Sequence, residues 1–101
     1  MNGQPGRTAL GDLTQDYRTT LLRFLPHHDE VARAAAYELG RRAVASEIGL
    51  LEVCRLHHEV TLEVLRGAAP GELIDTVEGA VELLLEVLAA YDMTHRGVLG
   101  P

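Results

Sequence analysis

Two stretches in the second half of the chain, 46–66 and 70–96, carry apolar side chains around most of a helical circumference. At about 100° per residue, Ile48, Leu50, Leu51, Val53, Cys54, Leu56, Val60, Leu62, Val64 and Leu65 leave room for only a narrow charged strip. Glu52, Arg55, Glu59, Glu63 and Arg66 make that strip. A helix packed on one side needs an apolar stripe of only about a third of its circumference. A lone domain of 101 residues has too little interior for two such helices, so the pattern predicts burial against a second copy or another polypeptide. The function this favours is binding, not catalysis.

The length suits one domain whose core forms without disulfides or a structural metal. Only four residues are aromatic, three Tyr and one Phe, while 47% of the chain is apolar, so Leu, Val and Ala must build the core. That balance favours helices. The net charge is −6 and there is no lysine, which argues against a nucleic-acid surface, because phosphates are neutralised by clustered Lys and Arg. Cys54 is the only cysteine; among Leu50, Leu51 and Val53 it reads as a small buried hydrophobe, in keeping with a reducing cytoplasm. Met1 to Leu10 lack the basic start and apolar run of a secretion signal. Every apolar run meets a charge before it could span a bilayer, as Glu82 and Glu86 interrupt Val81 to Tyr91, and a soluble protein is expected.

The periodicity predicts an all-α, four-helix bundle-like domain with helices at about 12–25, 30–45, 47–66 and 70–96. Residues 1–11 are expected to be a flexible tail, 12–97 the domain, and 98–101 a tail or the start of a linker. Asp12 and Gln15 have the spacing of a capping box, and Leu13, Tyr17, Leu21 and Phe24 then recur until Pro26. The second helix places Ala32, Ala35, Ala36, Leu39 and Ala43 on one face, small enough for a neighbouring helix to come close. Ser46 is expected to cap the third helix and Gly67 to end it in a left-handed conformation. Pro70 suits the first turn of the fourth, with Glu72 near the positive end of its dipole. The apolar arc of that helix takes Leu73, Ile74, Val77, Ala80, Val81, Leu84, Leu85, Val87, Leu88 and Tyr91. Asp75, Glu78, Glu82 and Glu86 lie opposite, most simply as a solvated face or else as a surface for a basic partner.

Chemistry has few places to reside. His57 and His95 occupy apolar arcs, and the pairs Cys54 with His57 and Asp92 with His95 are spaced three apart, which lets two side chains share a metal. A small-molecule or metal sensor using His57, His58, Cys54 and His95 is therefore the alternative function, against a buried imidazole hydrogen-bonded across a helix interface. Di-iron bundles need Glu-x-x-His on two helices plus two more Glu, and only Asp92-x-x-His95 resembles that. His57-His58-Glu59 is not the His-Glu-x-x-His order of zinc proteases, and there is no phosphate loop or nucleophile elbow. His27 and His28 fall in a connection, with an N-terminal cap for the second helix as their most specific role. No catalytic residue, cofactor or metal is assigned, and the chain is not expected to be an enzyme.

Three stretches stand out together: Ala36-Tyr37-Glu38-Leu39-Gly40-Arg41, Leu56-His57-His58-Glu59, and the ending from Leu84 through Tyr91-Asp92-Met93-Thr94-His95-Arg96-Gly97. Over roughly Leu13 to Gly97 the chain resembles the N-terminal domain of RsbU-type phosphatases. That family is an all-helical homodimer, related in fold to the C-terminal domain of the clock protein KaiA, and it precedes a serine phosphatase or sensor and kinase modules. The resemblance implies a regulatory docking module in bacterial stress and sigma-factor control, which receives a switch kinase of the RsbT type and does no chemistry itself. It implies an acidic partner contact at the start of the second helix, where Glu30 stands, and Ala34 takes the place of a larger residue sometimes found one turn on. Candidate partner contacts are Glu30, Arg33, Ala34 and Tyr37. A dimer interface resembling a core cut in half is expected from Leu50, Val53, Leu56, His57, Val60, Val64, Leu84, Leu88, Tyr91 and His95, unless these residues fill one monomeric core. The phosphatase domain is not among these residues, so the chain is either a piece of a larger protein or a free-standing version.

Overall fold

Thr8, not Asp12, opens the first helix. In the computed structural model, which describes residues 8–99 and side chains through 97, the extended Thr8 accepts the Gly11 N–H at 2.8 Å and α1 (Ala9–His27) follows. Residues 9–11, expected in the tail, are therefore helical. Pro26 does not stop the run either. It sits in the last turn, where one missing N–H is tolerable, and the end comes at His28, whose left-handed backbone (φ 50°) returns its N–H to the Phe24 carbonyl. Asp29, not a histidine, caps α2 (Glu30–Ala45) by accepting the Ala32 N–H at 2.9 Å.

The second connection also differs from expectation. Ser46 closes α2 instead of opening α3: its N–H bonds the Arg42 carbonyl, Glu47 turns left-handed (φ 58°), and the Ile48 N–H reaches the Ala43 carbonyl. These N–H groups satisfy the orphan carbonyls of the last turn of α2, so the backbone here cannot already be helical in the next element. Ile48 is buried by the turn, and α3 (Leu50–Gly67) begins after Gly49. Gly67 is the last helical residue, and the extended Ala68 follows it. A short 3-10 turn at Pro70–Glu72 leads into α4 (Leu73–Leu99), with the Glu72 carboxylate accepting the Ala69 N–H at 3.1 Å.

The result is an all-α bundle with no strand among the described residues. The most extensive packing joins α2 to α4. They run side by side in one direction, with Arg33 meeting Glu82 and Gly40 meeting Ala90. Small side chains make this approach possible: Ala32, Ala36, Ala43, Ala80 and Ala90 are buried, and Gly40 lies directly against the backbone of Val87 and Tyr91. α3 leans on α1 and α4. The larger core side chains are Leu13, Tyr17, Leu21 and Phe24 of α1, Leu39 of α2, Val53, Leu56 and Val60 of α3, and Leu83 and Val87 of α4. Each such burial contributes on the order of 1.5–3 kcal/mol. The α1 and α2 faces match the periodicity, except that Ala35 is only half-buried. Leu83, absent from the expected arc of α4, is fully buried, while Ile74, Val77, Val81 and Leu85 face outward.

Candidate functional site

The cap at Asp29 fixes the register in which α2 displays its outer face. Glu30, Arg33, Ala34 and Tyr37 follow at offsets of three, four and seven, which stacks them on one side of a helix. All four line a single surface depression, together with Glu38 and Glu86. Arg33 is the cation at its centre, and it is held firmly. Its guanidinium lies 3.2 Å from Glu82 and 3.5 Å from Glu86, and it covers the Phe24 ring at 5.3 Å. Tyr37 reaches across to α4, its hydroxyl 3.8 Å from the Met93 sulfur. With Glu30, Glu38 and Glu86 against a single arginine already shared with Glu82, the depression is acidic.

The acidic stripe of α4 is accordingly not one solvated face. Asp75 and Glu78 are exposed, but Glu82 and Glu86 clamp Arg33, and Glu82 also lies 3.3 Å from His28 Nδ1. His28 stacks on Phe24 at 4.4 Å between ring centroids. The contributions of Glu82, Glu86, Glu38 and His28 escaped the sequence reading. The only trace of them was the four-residue spacing of Glu82 and Glu86, which becomes informative once α4 is known to lie beside α2.

His57 has a different partner from any foreseen. Its Nδ1 lies 2.7 Å from the Tyr17 hydroxyl, and the rings meet edge to face. Burial, and then the nearby Cys54, push the Tyr17 pKa well above its usual value, so the phenol keeps its proton. Burial, and then the neighbouring His58, hold the His57 pKa below its usual value, so the imidazole is neutral at pH 7 and its tautomer sets which of the two groups donates. The pair ties α1 to α3 and fits the expected imidazole bonded across a helix interface. Cys54 is half-buried and His58 exposed, and His95 is exposed and stacked on Tyr91. Among the described residues no group of three or more His, Cys, Asp or Glu is placed to hold a metal ion, so His57, His58, Cys54 and His95 do not come together as a metal cluster.

The expected dimer residues divide. Val53, Leu56 and Val60 are 1%, 3% and 0% exposed and belong to the domain's own core, which corrects their assignment to an interface. They are buried where α3 packs on α1 and α4. Val64, Leu88 and Tyr91 pack half-buried against that core, and the Tyr91 hydroxyl donates to the Ile48 carbonyl at 3.0 Å. Leu84 is half-buried, while Leu50 and His95 remain exposed. Among the apolar side chains that lack cover, Ile74, Val77, Val81 and Leu85 form a stripe along α4 and are 74%, 44%, 46% and 60% exposed. Leu51 of α3 is exposed as well.

The fold thus leaves open an acidic, shaped depression on one helix pair and an aliphatic stripe on the last helix, on an all-α domain. Residues 15–94 match the family model described as the N-terminal domain of the phosphoserine phosphatase RsbU, and the chain belongs to that family. It is thus a regulatory domain of the RsbU phosphatase type. No curated protein and no solved structure matches the chain significantly. Among the described residues no helix is long and apolar enough to cross a membrane.

Proposed function

We propose that the domain docks a switch kinase of the RsbT type through the α2 face. It works as a homodimer in the bacterial cytoplasm and relays docking to a serine phosphatase or another effector in stress and sigma-factor control. The observation that carries the reading is the convergence of Glu30, Arg33, Ala34 and Tyr37 in one depression, in a chain of the RsbU N-terminal family. Docking there also has a physical route into the rest of the fold. Arg33 and Glu86 line the depression and, with Glu82, form the ion pairs that join α2 to α4. A partner that engages either side chain competes with those pairs and so acts on the packing of α4.

Glu30→Arg tests the docking face. Glu30 is exposed in the first turn of α2, so reversing its charge costs only a few tenths of a kcal/mol to about 1 kcal/mol through the helix dipole. The variant keeps its circular dichroism spectrum and loses most of its binding to the cognate switch kinase in a pull-down. Undiminished binding removes this face from the proposal.

A further inference from the structure

We infer that a second groove, where α1 and α3 end and α4 begins, binds a basic, aliphatic peptide segment of a protein partner. Leu22, Leu25, Pro26, Val64 and Ala68 give it apolar walls, and Glu63, Glu72 and Asp75 give it an acidic rim with no cation among the lining residues. Leu22 is 52% exposed there. Backbone charge adds to the rim. Gly67, at the carbonyl end of α3, lines the groove. In the last turn of α1, Pro26 has no N–H to offer the Leu22 carbonyl. Two helix C-termini, each carrying partial negative charge, therefore converge on the groove.

Not all three carboxylates are equally available. Glu63 is held by Arg18 at 2.9 and 3.0 Å, and Glu72 by the Ala69 N–H. Asp75 is engaged by no hydrogen bond or ion pair among the described residues, which leaves it for an incoming cation. An independent observation points the same way. Thr14, Thr19 and Thr20 each donate their hydroxyl to the carbonyl four residues back, as buried or helical threonines commonly do. Thr76 is only 7% exposed, lines the groove, and its hydroxyl has no partner. Its oxygen is not sealed from solvent, since the one sealed hydroxyl without a partner among the described residues is that of Thr61, so it stands open to an incoming backbone group. The complementary ligand is a cation beside an aliphatic side chain, with backbone groups to meet Thr76. A second copy of this chain, at net charge −6, brings the wrong sign.

The test uses the full chain, labelled with 15N, and an acetylated, amidated hexapeptide of alternating leucine and arginine. Saturable amide shifts are expected at Leu22, Val64, Ala68 and Thr76, and none with the leucine–glutamate counterpart. Asp75→Lys weakens binding by about tenfold or more, Thr76→Val weakens it with the fold intact, and Asp75→Asn serves if the lysine variant folds poorly. The inference is overturned if those amides stay unmoved at millimolar peptide, if both peptides shift them equally, or if the Asp75 variants bind as tightly as the parent. The groove shares no lining residue with the α2–α4 depression, so peptide binding and kinase docking can fail separately.

Discussion

At the scale of single residues, the Tyr17–His57 bond joins positions 40 residues apart in sequence. Tyr17→Phe removes the hydroxyl and leaves a half-buried ring nitrogen unpaired, which should lower unfolding free energy by about 1–2 kcal/mol in urea titrations at neutral pH. The linkage has a definite sign. Because His57 binds its proton less readily folded than unfolded, its contribution is fully present above the ordinary histidine pKa and declines as pH falls below it. Urea midpoints at pH 7.5 and 5.5 should therefore drop less on acidification in His57→Phe than in the parent, and an equal drop would exclude His57 as a source. The periodicity showed that both residues face inward. It could not show that they meet, because a buried donor and acceptor are matched only by the packing of two helices.

At the scale of elements, Gly40 decides how closely α2 and α4 lie. Glycine in a helix interior usually costs up to about 1 kcal/mol relative to alanine, so Gly→Ala is commonly stabilising. Here a Cβ would strike the Val87 carbonyl and stand 2.8 Å from the Ala90 Cβ and 2.9 Å from the Tyr91 nitrogen. Backbone cannot step aside as a flexible side chain can. Gly40→Ala is expected to destabilise by about 1–3 kcal/mol, read as a lower Tm, and a raised Tm would refute the close approach. The alanine content of α2 announced tight packing, and that packing is observed, but its partner is α4. The capping errors are also instructive. Asp12, Ser46 and Gly67 all have suitable chemistry, yet Thr8, Gly49 and Ala68 hold the cap positions, since the helix ends where core contacts and turn hydrogen bonds place it.

At the scale of the whole molecule, the domain is a slab measuring 44 × 37 × 23 Å. A shape this thin cannot cover a helix on every side, and the stripe from Ile74 to Leu85 is the part left over. We expect this stripe, with Leu51, to form the homodimer interface. Light scattering should give a dimer for the parent and a monomer for Val81→Glu/Leu85→Glu with unchanged helicity. Val60→Ala, which hollows the core at a cost of roughly 0.5–3 kcal/mol, should melt earlier yet remain dimeric. A monomeric parent at high concentration would remove the dimer from the proposed function.

The sequence alone determined that the chain is helical, roughly where its four helices run, which faces of α1 and α2 turn inward, and that Glu30, Arg33, Ala34 and Tyr37 share a face, because these follow from spacing along one helix. Only the tertiary structure decided that Val53, Leu56 and Val60 serve the domain's own core while Val81 and Leu85 stay uncovered, that Glu82 and Glu86 clamp Arg33, and that Thr76 lines a groove without a partner. Periodicity sorts side chains around an axis. Which sector of that circumference meets a neighbour depends on contacts between helices distant in sequence, and no local pattern encodes them.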